Sequence, residues 1–295
     1  MSYMQWCLMG LLHISMALQH ALAMIVTGGI HGALRIHERH TIARTVTAAM
    51  DSMMKGQTAI VTGGARGIGL GIVQRLAREG CRVVVWDRDV EGFDAEKAGV
   101  GRSDVHVVDV ARYESVQSAL SATLASAEGV AILVNNAGIN GPVVPAWEYP
   151  IDAWDRVLAI DLTGVFYCCR ALVPVMRKAG YGRIINIASI AGKEGGPGII
   201  AYAASKAGVI GFTKTLAREL VDSGVLVNAV APVITETELF KQMTPEHIAA
   251  MKAKIPMGRF LLIDEIAALV AWIASPECSF TTGFTFDVSG GRATY

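Results

Sequence analysis

The stretch Thr62-Gly63-Gly64-Ala65-Arg66-Gly67-Ile68-Gly69 decides the fold of this 295-residue chain. An apolar run, Thr58–Thr62, comes before it, and residues 68–78, whose apolar positions have helical spacing, follow it. Glycines between a strand and a helix permit a tight turn and let a pyrophosphate approach the backbone, where the helix N-terminus offers free N–H groups. A glycine pattern alone also fits an ordinary strand–helix turn, but the flanking elements favour a nucleotide site. Its predicted residues are Gly63, Arg66, Gly67, Ile68 and Gly69.

Strand patterns and helix patterns alternate along the chain from residue 56 onward. Continuous apolar strands separated by helices indicate a parallel sheet covered on both faces, with a ligand site at the carboxyl ends of the strands. We therefore predict a doubly wound, Rossmann-type α/β fold with seven strands. The predicted strands are Thr58–Thr62, 82–86, 105–108, 131–134, 183–187, 225–230 and 283–286. The predicted helices are 68–78, 113–127, 151–177, 201–221 and Ile263–Ala274.

Asp87 comes directly after the second predicted strand. A carboxylate at this place can accept hydrogen bonds from both hydroxyls of an adenosine ribose, and it would repel a 2′-phosphate. The sequence therefore favours NAD over NADP. NADP stays as the less favoured alternative, because Asp87 could form a turn with Asp89 and because Arg66 or Arg88 could pair with a phosphate.

The first fifty residues differ from the rest. Residues 1–34 contain no Asp, Glu, Lys or Arg. The apolar run at residues 4–26 is long enough to span a bilayer. Polar residues interrupt that run, and the basic start of a signal peptide is missing. We expect residues 1–53 to be an extension, either disordered or a start codon assigned too early, with a packed helix or a membrane anchor as alternatives. Residues 54–295 are expected to form one domain.

Charge and cysteine content narrow the function classes. The 26 basic and 26 acidic side chains balance, which argues against a nucleic acid as the main partner. The 5 cysteines are odd in number and have no metal-like spacing, so we expect neither a disulfide framework nor a metal site. A reducing, cytoplasmic location fits this usage.

A second motif, Tyr202-Ala203-Ala204-Ser205-Lys206, opens the predicted helix 201–221. Side chains at i and i+4 project from one face of a helix, and an ammonium beside a phenol favours the phenolate. Ser189 follows the predicted strand 183–187 and could reach the same substrate oxygen as Tyr202. This spacing also occurs on surface helices, but its position after a nucleotide-binding half favours a catalytic group.

With these motifs the chain resembles the short-chain dehydrogenase/reductase family, especially its NAD-dependent sugar and polyol dehydrogenases and its 3-oxoacyl-acyl-carrier-protein reductases. The resemblance covers about residues 55–295. It implies hydride transfer between NAD and a secondary alcohol or ketone, without a metal, in an enzyme that is often a homotetramer. The motifs that carry it are residues 62–69, Asp109-Val110, residues 135–138, Ser189 and residues 202–206.

The resemblance also implies a role for each matching residue. Ser189 would polarise the substrate oxygen, Tyr202 would act as acid and base, and Lys206 would hold the nicotinamide ribose. Besides the glycine loop and Asp87, the implied cofactor-binding residues are Asp109, Val110, Asn135, Asn136, Ala137, Gly138, Tyr202, Lys206, Pro232, Thr235 and Thr237.

Two positions depart from the family pattern. Asp161 stands where the family usually has an asparagine that orders a water beside the active-site lysine. We expect Asp161 to keep a catalytic role in the proton relay, with a changed pH profile. Val233 follows Pro232 where the family often has glycine, and it should stiffen the loop and narrow the floor of the pocket.

The substrate is the least determined feature. Lys193 and Glu194 border a glycine-rich turn and could present polar groups at the mouth of the pocket, which fits a polyol, sugar or sugar acid, although a solvated turn fits equally well. The C-terminal Arg292 and Tyr295 could reach the site of a neighbouring subunit in a tetramer.

Two alternatives to this function remain open. One is an NADPH-dependent 3-oxoacyl-acyl-carrier-protein reductase, against which Asp87 counts. The other, from a different class, is a non-catalytic nucleotide-binding scaffold. The intact Ser189, Tyr202 and Lys206 count against the scaffold.

Overall fold

Short apolar strands lie side by side in one all-parallel sheet in the computed structural model, which describes residues 54–235 and 245–294. The strands are β1 Thr58–Thr62, β2 Arg82–Asp87, β3 Val105–Val107, β4 Ile132–Asn135, β5 Gly182–Ile187, β6 Val225–Pro232 and β7 Thr285–Val288. Their order across the 7-stranded sheet is β3-β2-β1-β4-β5-β6-β7. The predicted doubly wound α/β fold is confirmed. Residues 1–53, with the predictions made for them, and Thr237 lie outside the described residues.

Helices cover both faces of the sheet. The helices are α1 Gly67–Arg78, α2 Ala95–Ala98, α3 Tyr113–Ser126, α4 Ile151–Leu158, α5 Gly164–Ala179, α6 Ala191–Glu194, α7 Ile200–Glu219, α8 Pro245–Ala253 and α9 Ile263–Ala274. Apolar residues of α1 and α9 pack in one core cluster, and those of α3, α5 and α7 pack in the other.

The central strands are apolar on both sides because both of their faces are covered. Every residue of β1 and β4 is buried. Successive strand residues point to opposite faces, so Ile60 packs in the cluster of Leu172 while Val61 packs in the cluster of Ile72. Full burial of a side chain of this size contributes about 1.5–3 kcal/mol. The unbroken apolar runs in the sequence therefore reflect two cores that share one sheet.

A crevice opens at the carboxyl ends of β1 and β4. From β1 the chain moves outward to β2 and β3, and it then returns to place β4 on the other side of β1. The loops that follow β1 and β4 consequently lead away in opposite directions, which is the arrangement that binds ligands in sheets of this type. Gly63 and Asn136 lie at this point.

One predicted helix is divided in the structure. The stretch predicted as 151–177 consists of α4, a π-helical turn at Ala159–Thr163, and α5. Within the described residues, Ile151–Ala179 is also the one helical stretch that is long and apolar enough to cross a bilayer. Leu172 and Met176 on it are fully buried, as in the core helix of a globular fold.

The remaining differences are local. The strand predicted at 283–286 is observed at Thr285–Val288, because Gly283 adopts a φ of +74° and its N–H bonds to Val227 ahead of the strand. The short helices α2 and α6 were not predicted, since 4 residues are too few to show a helical period.

Candidate active site

The glycine loop after β1 is tightly folded. Gly63 and Gly67 have φ angles of +62° and +55°, in the region that favours glycine. A Cβ on Gly69 would overlap the carbonyl oxygen of Gly63, and a Cβ on Gly63 would lie 2.9 Å from Cα of Ala137. A Cβ on Gly67 would meet nothing within 4 Å, so this glycine faces open space beside the start of α1. The loop therefore has the backbone shape and the room that a pyrophosphate needs.

Asn136 fastens the loop after β1 to the end of β4. Its Nδ2 donates to the carbonyl oxygens of Thr62 (3.0 Å) and Gly63 (2.9 Å), which uses both amide hydrogens. Its backbone N–H donates to Oγ1 of Thr62 (2.9 Å). The structure thus uses Asn136 as a brace that sets the width of the crevice.

Asn135 braces the sheet from the inside. Its Nδ2 donates to Oδ1 of Asn186 in β5 (2.8 Å), and Nδ2 of Asn186 donates to Oγ1 of Thr213 in α7 (2.9 Å). All three residues are buried. Because buried polar groups are costly unless paired, this chain of amides fixes β4, β5 and α7 relative to one another.

Asp87 is oriented by the backbone. Its Oδ2 accepts the N–H of Ala65 in the glycine loop (3.0 Å), and its Oδ1 accepts the N–H of Asp89 (3.0 Å). Each carboxylate oxygen retains a further acceptor site, so the group can still bind the two hydroxyls of a ribose.

Arg66 forms an ion pair with Asp89, with 2.6 Å between Nη2 and Oδ2. The hydrogen bond from Arg66 holds the pKa of the Asp89 carboxyl below its ordinary value, and the N–H of Glu91 adds to the effect. Such an exposed pair contributes little to stability and does not lock the arginine. The end of β2 therefore carries two carboxylates, Asp87 and Asp89, and two cations, Arg66 and Arg88.

The other predicted cofactor residues border the same edge of the sheet. Oδ1 of Asp109 accepts the N–H of Ala111 (3.0 Å), and the N–H of Asp109 donates to Oγ of Ser115 (3.1 Å). Val110 is buried, and Thr235, near the end of β6, is buried and bridges to Leu261. Val233 belongs to the apolar core beside Pro232.

Lys206 is the most constrained charge of the site. Its side chain is 6% exposed. Nζ donates to the carbonyl oxygen of Ile187 at the end of β5 (3.0 Å) and lies 3.4 Å from Oδ2 of Asp161. It also lies 5.6 Å from the centroid of the Tyr202 ring, one turn earlier in α7. An ammonium has three donors, so one remains for a ligand in the crevice.

Asp161 lies in the π-helical turn between α4 and α5 and is fully buried. Its Oδ1 accepts the N–H of Ile139 (2.8 Å), and a Cβ on Gly138 would come within 3.0 Å of Oδ2. Burial raises the pKa of the Asp161 carboxyl, while the Lys206 ammonium and the Ile139 N–H oppose that rise. The carboxylate thus joins the loop after β4 to the active-site lysine, and π-helical turns of this kind are frequent at functional sites.

Ser189 follows β5 and is buried. Its Oγ accepts the N–H of Ala191 (3.1 Å), which leaves the hydroxyl hydrogen free to donate to another oxygen. Gly192, in α6, packs against α7 so closely that a Cβ would lie 2.6 Å from the carbonyl carbon of Lys206. The contact brings the Ser189 turn against the turn of α7 that bears Tyr202 and Lys206.

Gly192 is a site residue that the sequence analysis missed. A glycine three positions after Ser189 was visible, but only the packing of α6 on α7 shows why a larger residue would not fit.

Lys193 and Glu194 form ion pairs at a turn whose residues 194–197 are exposed. Nζ of Lys193 lies 3.1 Å from Oδ2 of Asp287, and Nη2 of Arg292 lies 2.9 Å from Oε2 of Glu194. Arg292 therefore pairs within its own chain. Tyr295 lies outside the described residues.

An apolar cleft of about 830 Å³ lies beside α7. Its walls include Trp147, Pro197, Ala203 and Ala207. Tyr202 and Lys206 are absent from its lining, since they project from another side of α7. Ala191 and Gly192, which follow Ser189, also line it.

The fold and site define a nicotinamide-dependent oxidoreductase that acts on CH–OH groups. The defining features are a parallel sheet with a glycine loop at its switch point, an acidic residue after β2, and a tyrosine–lysine pair beside a serine. A family model described as enoyl-(acyl carrier protein) reductase matches residues 63–293. The chain belongs to the short-chain dehydrogenase/reductase family.

Individual relatives agree with this assignment. The chain is 48% identical over 240 residues to the 2-dehydro-3-deoxy-L-rhamnonate dehydrogenase (NAD(+)) of Sphingomonas sp. (strain SKA58), covering 81% of this chain and 96% of that protein. It is 39% identical over 239 residues to the 3-oxoacyl-acyl-carrier-protein reductase of Vibrio cholerae, covering 81% and 98%. A crystal structure of NAD+-bound xylitol dehydrogenase superposes with a TM-score of 0.75 at 31% identity, covering 81% of this chain and 99% of that one.

The substitution Asp161→Asn tests the buried carboxylate. Because burial raises the pKa of Asp161 in the folded protein, ionisation of this group costs stability as the pH rises from its ordinary value through the raised one. Asn retains an acceptor for Ile139 and does not ionise. We expect the difference in Tm, variant minus parent, to become more positive as the pH rises above the ordinary pKa of an aspartate carboxyl. Thermal unfolding in a buffer series measures it, with the exposed Asp222→Asn as control.

The same variant should remain active. Asn keeps an acceptor for the Ile139 N–H, so the loop after β4 keeps its place beside Lys206. A several-fold rise in turnover would instead mean that Asp161 is a handicap at this position.

Proposed function

We propose that this enzyme oxidises a secondary alcohol of a small polar substrate, a polyol, sugar or sugar acid, with NAD as the hydride acceptor and Tyr202 as the base. The observation that carries the proposal is the buried Lys206 ammonium beside the Tyr202 ring, held by the Ile187 carbonyl and by Asp161. A buried ammonium 5.6 Å from the centroid of a phenol ring favours the negative charge that the phenol oxygen must carry to act as a base.

The residues at the crevice fit a nicotinamide dinucleotide. The N–H groups at the start of α1 would hold its pyrophosphate, Asp87 would accept the adenosine-ribose hydroxyls, and the free donor of Lys206 would bind the nicotinamide ribose. When bound, the nicotinamide supplies a two-electron acceptor. Asp109, Val110, residues 135–138, Pro232, Thr235 and Thr237 complete the proposed binding site.

The chain's own residues manage the proton. Oη of Tyr202, as phenolate, takes the proton from the alcohol O–H, while the C–H bond breaks and its electron pair leaves with the hydrogen toward the acceptor. The hydroxyl of Ser189 donates to the same oxygen and stabilises the negative charge that develops before the C=O bond is complete. Lys206, with Asp161 as its counterion, keeps a positive charge next to Tyr202 throughout.

The substrate class rests on the relatives. The proteins that this chain is similar to include a dehydrogenase of a sugar-acid derivative and a xylitol dehydrogenase. The second candidate is reduction of a 3-oxoacyl thioester with NADPH, favoured by the Vibrio cholerae relative and by the exposed Arg66. The two carboxylates Asp87 and Asp89 weigh against the 2′-phosphate of that cofactor.

We expect Tyr202→Phe to lower kcat by about 10²–10⁴-fold, because the base is lost while the ring is kept. Turnover is followed by the absorbance of the reduced cofactor. NADH or NADPH forms when polyols or sugar acids are oxidised and is consumed when 3-oxoacyl thioesters are reduced, so the assay identifies the substrate class. Tyr167→Phe in α5 removes a hydroxyl outside the site and is the matched control. A fully active Tyr202→Phe enzyme would refute the mechanism. A parent that binds NAD in calorimetry but oxidises none of these substrates would instead support a scaffold.

The preference for NAD is tested with Asp87→Ser. The change removes the ribose acceptor and the charge that opposes a 2′-phosphate. We expect kcat/KM with NAD to fall by about 10–100-fold and kcat/KM with NADP to rise, since a lost hydrogen bond to a charged group is worth about 1.5–3 kcal/mol. The exposed Asp222→Ser serves as control. An unchanged ratio between the two cofactors would contradict the assigned role.

We also infer that the enzyme is a cytoplasmic homotetramer. Its four described cysteines are buried and free, as in a reducing compartment. Phe280, Phe284 and Trp272 are exposed at and beside β7, an edge strand, and such aromatic patches favour contact with another copy.

The double variant Phe280→Asp/Phe284→Asp should therefore reduce the mass measured by light scattering after gel filtration. Charges placed in an apolar interface cannot be solvated there, so the tetramer should fall to dimers or monomers. Val107→Asp, on the opposite edge strand β3, is the control and should leave the mass unchanged. A monomeric parent would refute the inference.

A further inference from the structure

Two ion pairs connect helix α6 with the C-terminal segment of the chain. Lys193 pairs with Asp287 at the end of β7 (3.1 Å), and the adjacent Glu194 pairs with Arg292 through Nε (3.0 Å) and Nη2 (2.9 Å). These four residues are called the C-terminal clamp below. Neighbouring positions of α6 thus carry opposite charges, and each pairs with a residue of opposite charge in the C-terminal segment.

The clamp is shielded from solvent more than a surface pair. The side chains of Arg292 and Glu194 are 27% and 25% exposed, and that of Lys193 is 9% exposed. Partial burial reduces screening, so these pairs are stronger than fully exposed ones.

The C-terminal side of the clamp is itself held in place. Oδ1 of Asp287 accepts the N–H of Ser289 (2.9 Å) and also its hydroxyl, and Oγ of Ser289 accepts the N–H of Ala293 (2.9 Å). The carbonyl of Gly290 accepts the N–H of Met257 (3.1 Å). The segment that carries Arg292 is therefore an anchor with few degrees of freedom.

The α6 side needs such an anchor. This helix has 4 residues and ends at Gly195, whose φ is +74°. A single turn is not stable by itself, because nucleation of a helix is unfavourable. Yet its first N–H, from Ala191, is the donor that orients Oγ of Ser189, and Gly192 sets the distance to α7.

We propose that the C-terminal clamp holds α6 in register and thereby positions the Ser189 hydroxyl against Tyr202, so that Lys193, Glu194, Asp287 and Arg292 are positioning residues. The proposal rests on the role given to Ser189 in the proposed function. A displacement of about 1 Å at a reacting group can lower a rate by about 10²-fold, so two ion pairs four and five residues beyond Ser189 can control turnover.

Direct binding of an acidic substrate by Arg292 is the competing explanation. It predicts a different kinetic signature. Loss of a substrate contact raises KM, whereas loss of alignment lowers kcat at nearly unchanged KM.

The experiment uses the full chain and four variants. Glu194→Gln and Arg292→Gln each break one pair at nearly constant size, and Glu194→Arg/Arg292→Glu exchanges the charges across the gap. Glu79→Gln is the matched control, because it breaks the Arg75–Glu79 pair (2.6 Å) at the far end of α1.

We expect each single clamp variant to lower kcat by about tenfold, with KM for the alcohol and Kd for NAD changed by less than about twofold. The charge exchange should restore kcat to within about threefold of the parent, because the restored attraction again fixes α6. Glu79→Gln should leave kcat unchanged. Three results would each overturn the proposal. They are a fall in Tm without a fall in kcat, a rise in KM alone, and a charge-exchange variant that folds but does not recover kcat.

A double-mutant cycle with Ser189→Ala separates this proposal from the proposed function. If the clamp acts through the serine hydroxyl, Glu194→Gln should have no further effect on single-turnover rates once that hydroxyl is gone. An undiminished tenfold loss in the Ser189→Ala background would overturn the clamp proposal alone. A Ser189→Ala enzyme as fast as the parent would instead refute the role of Ser189 in the proposed function.

Discussion

The site depends on one buried positive charge. Removing an ammonium from water is expensive unless it is paired and hydrogen-bonded, and in this chain the Ile187 carbonyl and the Asp161 carboxylate meet the Lys206 side chain. Three local features bring these groups together. β5 ends beside the lysine, the π-helical turn carries Asp161, and residue 138 is a glycine, where a Cβ would lie 3.0 Å from the carboxylate.

The polar groups on the cofactor side of the crevice are hydrogen-bonded within the protein as well. The amide hydrogens of Asn136 satisfy two carbonyl oxygens after β1, and Asp87 accepts N–H groups from both the glycine loop and its own turn. Since these contacts are already made in the protein, little reorganisation is needed when a dinucleotide binds. Preorganised polar groups lower the entropic cost of binding and of catalysis alike.

The far end of the chain also reaches the site. Asp287 lies in the last strand and Arg292 follows it, yet both contact the single helical turn beside Ser189. If the clamp acts as proposed, alignment of Ser189 depends on contacts from the C-terminal end of the chain.

The sequence by itself determined the fold class, the glycine loop, Asp87 and the Tyr202–Lys206 pair, because each depends on periodicity or on spacing within a few residues. The π-helical turn was hidden in a continuous helical pattern, and a place for Asp161 near Lys206 was expected only from the resemblance to the family. The tertiary structure alone decided the geometry of that ion pair, the hydrogen bonds from Asn136, the fit of Gly192 against α7 and the clamp between Glu194 and Arg292. These contacts join residues that are far apart in the chain, and their existence depends on how separate helices and strands pack around a common sheet.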